Sequence, residues 1–349
     1  MPTPDSEESF YRFFSEYLAL LAPLFEPIPE LAIQDLFEFV CCLIHPGGLE
    51  SPDENPLVET TALIDDLDAL SRQDMNQWPH PERTRARLRL LSYCHLTETD
   101  FFYVLLVNLL RIRCGERWIF APFADLARRR KKTNGPDSVL PPSPNQKIKR
   151  VAEYSKRAGL PQIGEAFGSF YISAIRNAVF HADYSLSDAY FHMPRNHWRS
   201  PEGCLTRDVP LANLAELIDR GFAFYYALLN RLQLAQGRFD GLKNKAFPFD
   251  PLLKGLIEFL FEGDQIIGFR FYWPNGQHAQ FTRMTTGSRA INVWPNAHGG
   301  LNIDVGQYAS NPSSFSPLVE SGSEPAYSSG PGRRVSPYWP GGFKAVQLD

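Results

Sequence analysis

Cysteine is scarce and shows no pairing pattern. The 349-residue chain has five, Cys41, Cys42, Cys94, Cys114 and Cys204, with no C-x-x-C among them. The adjacent Cys41 and Cys42 are a poor geometry for an ordinary disulfide, so the five read as small buried thiols of a reducing cytoplasm. A long apolar run is missing too. The most apolar N-terminal stretch, "YLALLAPLF", falls far short of the ~20 residues a membrane span needs. The opening "MPTPDSEESF" is acidic and has no basic region ahead of an apolar core, unlike a signal peptide. A cytoplasmic protein without membrane association is therefore expected. Nor is there a basic excess: the net charge is -4, which argues against a wholesale nucleic-acid-coating protein but leaves room for a local basic groove. No internal repeat stands out. No convincing metal-ligand cluster does either, and neither metal nor another cofactor is expected.

What the sequence does have is aromatic bulk and helical periodicity. Apolar residues make up 44% and charged residues 21%, with 26 phenylalanines, enough for a substantial core. The length suggests two or three domains. From Ser9 to about Leu126 apolar residues recur at three- and four-residue spacing. Breaks fall near Pro27 and at "HPGG", and Gly115 is placed as a helix stop. Within "LTETDFFYVLLVNLLRIRCG", Thr97 and Asp100 have the spacing of a capping box. The segment "RRRKKTNGPDSVLPPSPN", from Arg128 to Asn145, is basic and then rich in Pro, Ser and Asn, long for a loop inside a compact domain. Helices are expected again over "QKIKRVAEYSKRAG", over "PQIGEAFGSFYISAIRNAVF" and over "LANLAELIDRGFAFYYALLNRL". After Phe247 the period shortens to that of an antiparallel sheet of four or five strands. Ser, Pro and Gly then dominate a tail expected to be disordered. The expected divisions are an N-terminal helical region (1–80), a helical domain (81–246), a small β domain (247–309) and a flexible tail (310–349).

One helix carries polar residues where a buried face is expected. In "IRNAVFHADY", Asn177 and His181 lie four residues apart and share a helix face. Arg176 is about 140° around the axis from His181 at ~100° per residue. The two converge only if the helix ends at the histidine, and "HADY" running into polar "SLSD" makes such an end plausible. Arginine is well suited to hold a phosphate, with its planar fork and permanent charge. Histidine titrates near neutrality, so it can take the proton of a ribose 2′-OH or give one to a leaving oxygen. Asparagine can orient the histidine or donate to phosphate. A purely structural arrangement also fits: Arg176 pairs with an acid such as Glu165 or Asp183, and His181 caps the helix.

The stretch resembles the motif of HEPN domains, in which Arg, a polar residue and a short spacer precede His at a helix end. The resemblance covers about Pro81 to Ala235. It implies a HEPN-like helical bundle over that region; with the periodicity outside it, the expected fold is mainly α, the bundle carrying additional N-terminal helices and a small C-terminal antiparallel β domain. Many HEPN proteins are metal-independent endoribonucleases of toxin–antitoxin, abortive-infection and CRISPR defence systems. Their active site usually forms where two HEPN domains pair. By resemblance, Arg176 binds phosphate, His181 is the general acid/base and Asn177 supports them. The chain would then cleave RNA, act as a homodimer and meet an antitoxin or another defence-system protein. A non-catalytic HEPN module binding RNA or a partner protein is the alternative the family offers. A structural helical interaction protein is the alternative outside it.

Around this motif, Arg128, Arg129, Arg130, Lys131, Lys132, Lys147, Lys149 and Arg150, with Lys156 and Arg157, are candidates for an RNA-backbone groove. Solvated helix ends and an exposed loop would carry the same charges. Ser169 and Ser173 precede Arg176 by seven and three residues, near its face of one continuous helix. Together with Asp183 and Tyr184 they are candidate supporting groups; Tyr184 is close enough to His181 to stack on a base, but a buried aromatic is its safer reading. His95, Glu98 and Asp100 are poor metal ligands, because capping accounts for the acid. His192 and His197 have no acidic partner at a diagnostic spacing. Trp273, Trp294, Arg270 and Arg283 in the β region suit a small core better than a stacking surface.

Overall fold

The computed structural model describes residues 4–26, 39, 42, 56–74, 77–116, 119, 122–130, 138–200, 203–237, 243–244, 246–250, 255–263, 265–272, 278–282, 288–295 and 301–308. Among these the chain is mainly helical, with antiparallel strands gathered toward its C-terminal part. Eight α-helices are described: α1 (Pro4–Phe25), α2 (Pro56–Arg72), α3 (Pro81–Glu98), α4 (Asp100–Arg113), α5 (Pro144–Arg157), α6 (Pro161–Ala166), α7 (Ser173–Phe180) and α8 (Leu211–Gly237). No helix among the described residues is long and apolar enough to cross a membrane.

The chain divides into two units. The first takes residues 1–24, 59–110 and 121–231. Its α1 buries Phe13, Tyr17, Leu21 and Leu24, a stripe at four-, four- and three-residue spacing. Tyr17 meets Phe224 of α8 edge to face at 5.3 Å. The Leu18 carbonyl accepts from Arg231 Nε and Nη2 at 2.9 and 2.6 Å.

Helix ends follow local chemistry in most places. Pro144 opens α5, and Gln146 Oε1 accepts from the Ser143 N–H at 3.0 Å. That helix stops where the Leu160 N–H reaches the Ser155 carbonyl and Gly159 turns left-handed with φ 73°. Gly115 closes α4 in the same way, with φ 73° and the Glu116 N–H on the Arg111 carbonyl. Gly164 lets α6 approach α5 closely, since a Cβ there would lie 2.6 Å from Ala152 Cα.

Two expectations are corrected. Thr97 does not cap α4: it is buried inside α3, where its hydroxyl donates to the Cys94 carbonyl, and α3 continues to Glu98. The stretch from Pro161 to Phe180 is not one helix. Helix α6 passes into a 3-10 turn at Phe167–Ser169 and the chain breaks before Ser173. The cause is Tyr93 of α3, whose buried hydroxyl donates to the Phe170 carbonyl at 2.8 Å and accepts from the Ile172 N–H at 3.2 Å. The connection between α7 and α8 is folded into short strands. Strands β3 (Ser185–Leu186), β4 (Tyr190–His192) and β7 (Asp208–Pro210) form a three-stranded sheet, and β5 (Trp198–Arg199) pairs with β6 (Leu205–Thr206). The long loop likewise contains a short hairpin of β1 (Arg128–Arg130) and β2 (Ser138–Leu140).

The second unit comprises residues 25–58, 111–120 and 232–349. Of the helix expected over residues 29–44, only Phe39 and Cys42 are described, both helical and buried. The antiparallel strands expected after Phe247 are present: β8 (Ala246–Asp250), β9 (Gly255–Glu262), β10 (Gln265–Tyr272) and β11 (His278–Thr282) form one sheet. A hairpin of β12 (Ser288–Pro295) and β13 (Leu301–Tyr308) completes them. Trp273, Arg283 and the 310–349 tail lie outside the described residues.

Candidate functional site

Helix α7 is built on one apolar arc. Ile175 and Ala178 are fully buried, with Ala174 and Val179 at their sides, in a core shared with Leu90, Tyr93 and Cys94 of α3. Phe191, Val209 and the first turns of α8 close that core from the other side. The remaining arc carries Arg176, Asn177 and Phe180 outward.

The helix ends at His181, whose backbone (φ -92°, ψ 5°) leaves the helical region. The Asp183 N–H returns to the Ala178 carbonyl at 2.8 Å and the Ala182 N–H to Val179 at 3.1 Å. This is the same closure as at Gly159, but the left-handed position is filled by Ala182, with φ 51°. His181 is exposed at this turn.

Arg176 turns toward α3. Its Nε and Nη2 donate to Glu98 Oε1 at 2.6 and 2.5 Å, and its Nη1 donates to Asn177 Oδ1 at 2.9 Å. The guanidinium lies over the Phe180 ring, 4.5 Å from its centroid, the pairing that four-residue spacing on a helix produces. Both partners of the ion pair keep part of their surface in solvent, 24% for Arg176 and 32% for Glu98. An ion pair so placed stabilises a fold by roughly 1 kcal/mol or less. Its larger effect is to hold one arginine rotamer. A guanidinium has five N–H groups, and these three contacts engage one on each nitrogen. Nη1 and Nη2 each keep one further N–H beyond these contacts.

Two more groups lie within the field of this pair. Burial pushes the Cys94 thiol up to about 12; the Arg176 charge opposes this and the Glu98 charge adds to it. Cys94 is therefore an inert thiol rather than a nucleophile. Burial also raises the Tyr171 hydroxyl, again with Arg176 opposing.

The other candidates separate. Ser169 hydrogen-bonds Tyr17 at 2.8 Å and the Ala166 carbonyl, and the break before α7 removes it from the Arg176 helix face. Ser173 begins α7 and is exposed. Asp183 lies 3.6 Å from Arg195. Tyr184 stacks on Phe191 at 5.1 Å and belongs to the core, the safer of its two readings.

The basic groove contracts. Lys147 is buried, paired with Asp100 and 5.5 Å from the Tyr103 ring centroid, so it is not a surface cation for RNA. Arg150 is bound to Asp125 at 2.6 Å, which holds that carboxyl below the ordinary carboxylate range. Lys149, Lys156 and Arg157 stay exposed on α5. Arg128, Arg129 and Arg130 sit in β1, and Lys131 and Lys132 lie outside the described residues.

Two groups went unread in the sequence. From the sequence Glu98 reads only as a weak metal ligand, although it pairs with a residue 78 positions away. His192 does have an acid: its Nδ1 lies 2.6 Å from Asp208 Oδ1 across neighbouring strands. The alternation "YFH" against "DVP" was the available signal. Among the described residues no three His, Cys, Asp or Glu side chains come together in a metal-holding group.

No protein-family model matches the chain, and no curated protein or solved structure matches it either.

Proposed function

We propose that the chain is an endoribonuclease of HEPN type, cleaving RNA through the ribose 2′-OH without metal. The observation that carries this reading is the helix stop at His181. It leaves an imidazole exposed one turn beyond an arginine whose rotamer is fixed by Glu98, Asn177 and Phe180. Arg176 takes the scissile phosphate on its outer edge, Asn177 keeps that edge turned outward, and His181 moves a proton. The exposed Lys149, Lys156 and Arg157 supply backbone contacts.

The Glu98–Arg176 pair also favours a second reading, a non-catalytic HEPN module that binds RNA or a partner protein. One experiment separates them. Purified protein is incubated with RNA in EDTA, beside Arg176→Ala, His181→Ala and Glu98→Gln. The expected outcome is 2′,3′-cyclic phosphate ends from wild type and a loss of about 10²–10⁴-fold in His181→Ala. Arg176→Ala should fall at least as far. Glu98→Gln, which keeps one acceptor but loses the charge, should fall less and mainly through KM. RNA bound but left whole by wild type establishes the second reading instead.

A further inference from the structure

The three-stranded sheet beside the motif turn places three side chains in one row. Ser185 of β3 stands opposite His192 of β4, and His192 stands opposite Asp208 of β7. Directly opposed residues in antiparallel strands project to the same face. The next row, Leu186, Phe191 and Val209, lies on the other face, where Phe191 and Val209 are fully buried. The Ser–His–Asp row is thereby turned to solvent, with 42% of the His192 side chain and 52% of Asp208 exposed.

His192 is held, not loose. The Asp208 carboxylate lies 2.6 Å from Nδ1, which places the imidazole proton on that nitrogen and leaves the lone pair on Nε2. Carboxylates fix catalytic and metal-binding histidines in the same manner. On the neighbouring strand β3, Ser185 is exposed at the same register. The row also adjoins the motif: Ser185 follows His181 by four residues, at most about 14 Å of chain. The returning Asp183 N–H shortens that path.

We propose that this row is a second proton-transfer site, with His192 Nε2 acting as general base on the ribose 2′-OH of RNA. It rests on the ribonuclease reading of Arg176 and His181, and assigns His181 the acid step. The 2′-O–H proton passes to His192 Nε2, and the 2′-oxygen lone pair forms the new bond to phosphorus. The P–O5′ bond breaks, and the leaving 5′-oxygen takes a proton from His181. The products are a 2′,3′-cyclic phosphate and a 5′-hydroxyl. Proton exchange with water then restores both imidazoles. Asp208 orients the base, and Ser185 is placed to hydrogen-bond the sugar or phosphate.

The test compares an RNA oligonucleotide with uridine 3′-(4-nitrophenyl phosphate), whose leaving group departs without a proton. Full-length His192→Ala should lose about 10²–10⁴-fold on both substrates. His181→Ala should lose a similar factor on RNA and recover most of it on the aryl ester. Asp208→Asn should lose about tenfold on both with an unchanged thermal midpoint, since both side chains are half in solvent. His192→Ala with wild-type rates, or rescued by the aryl ester, overturns the assignment. Wild type that cleaves neither substrate overturns the ribonuclease reading itself, and this inference with it.

Discussion

Ala182 adopts a backbone that glycine reaches without penalty and alanine does not. At φ 51° its Cβ crowds the following carbonyl, a strain of roughly 1 kcal/mol. The same turn at the ends of α4 and α5 uses glycine. Ala182→Gly should therefore raise stability by about 1 kcal/mol, read as a higher denaturant midpoint with an unchanged slope. A lower midpoint would show that the alanine methyl is packed rather than strained. At this scale the sequence was partly legible. "HADY" pointed to a helix end, and Gly115 and Gly159 pointed to theirs. Local rules failed wherever the deciding partner was remote. Nothing near Lys147 told of Asp100, and nothing near Arg176 told of Glu98.

At the scale of elements, the decisive contacts are where helices touch. Gly164 of α6 faces Ala152 and Ser155 of α5, with space for a hydrogen only. Gly164→Ala should cost about 1–3 kcal/mol through overpacking. Gly168→Ala, where no atom lies within 4 Å of the new carbon, should stay within about 0.5 kcal/mol. Equal effects of the two substitutions on the urea midpoint would refute the close approach. Periodicity gave most helices and the shift to strands after Phe247, because burial of one face is a local pattern. It missed the interruption before α7, which the Tyr93 hydroxyl imposes from 79 residues away. That interruption matters: it removed Ser169 from the candidate site and left α7 as a short helix of eight residues.

For the whole molecule, the spacing on α7 has a consequence for assembly. Arg176 and His181 diverge by about 140° on a helix, and Arg176 turns to Glu98 while His181 is exposed. A site completed across a two-fold dimer would combine Arg176 of one copy with His181 of the other. Mixing the inactive Arg176→Ala and His181→Ala proteins should then restore about a quarter of wild-type activity. Half of randomly exchanged dimers would be mixed, each with one intact site. No recovery on mixing, from proteins shown to exchange subunits, would place both residues in one copy's site.

The core beneath α7 also sets when the site comes into being. Leu90 and Tyr93 lie early in the chain, while Leu214, Leu217 and Ile218 close the same cluster from α8. Contacts of such sequence separation form late, after much loop-closure entropy has been lost. During synthesis, α7 leaves the ribosome before the helix that completes its support. A nascent chain has the arginine and the histidine for some thirty residues of elongation before it has the surface that holds them. If the chain cleaves RNA as proposed, its activity should therefore be absent from nascent chains that end before Leu211.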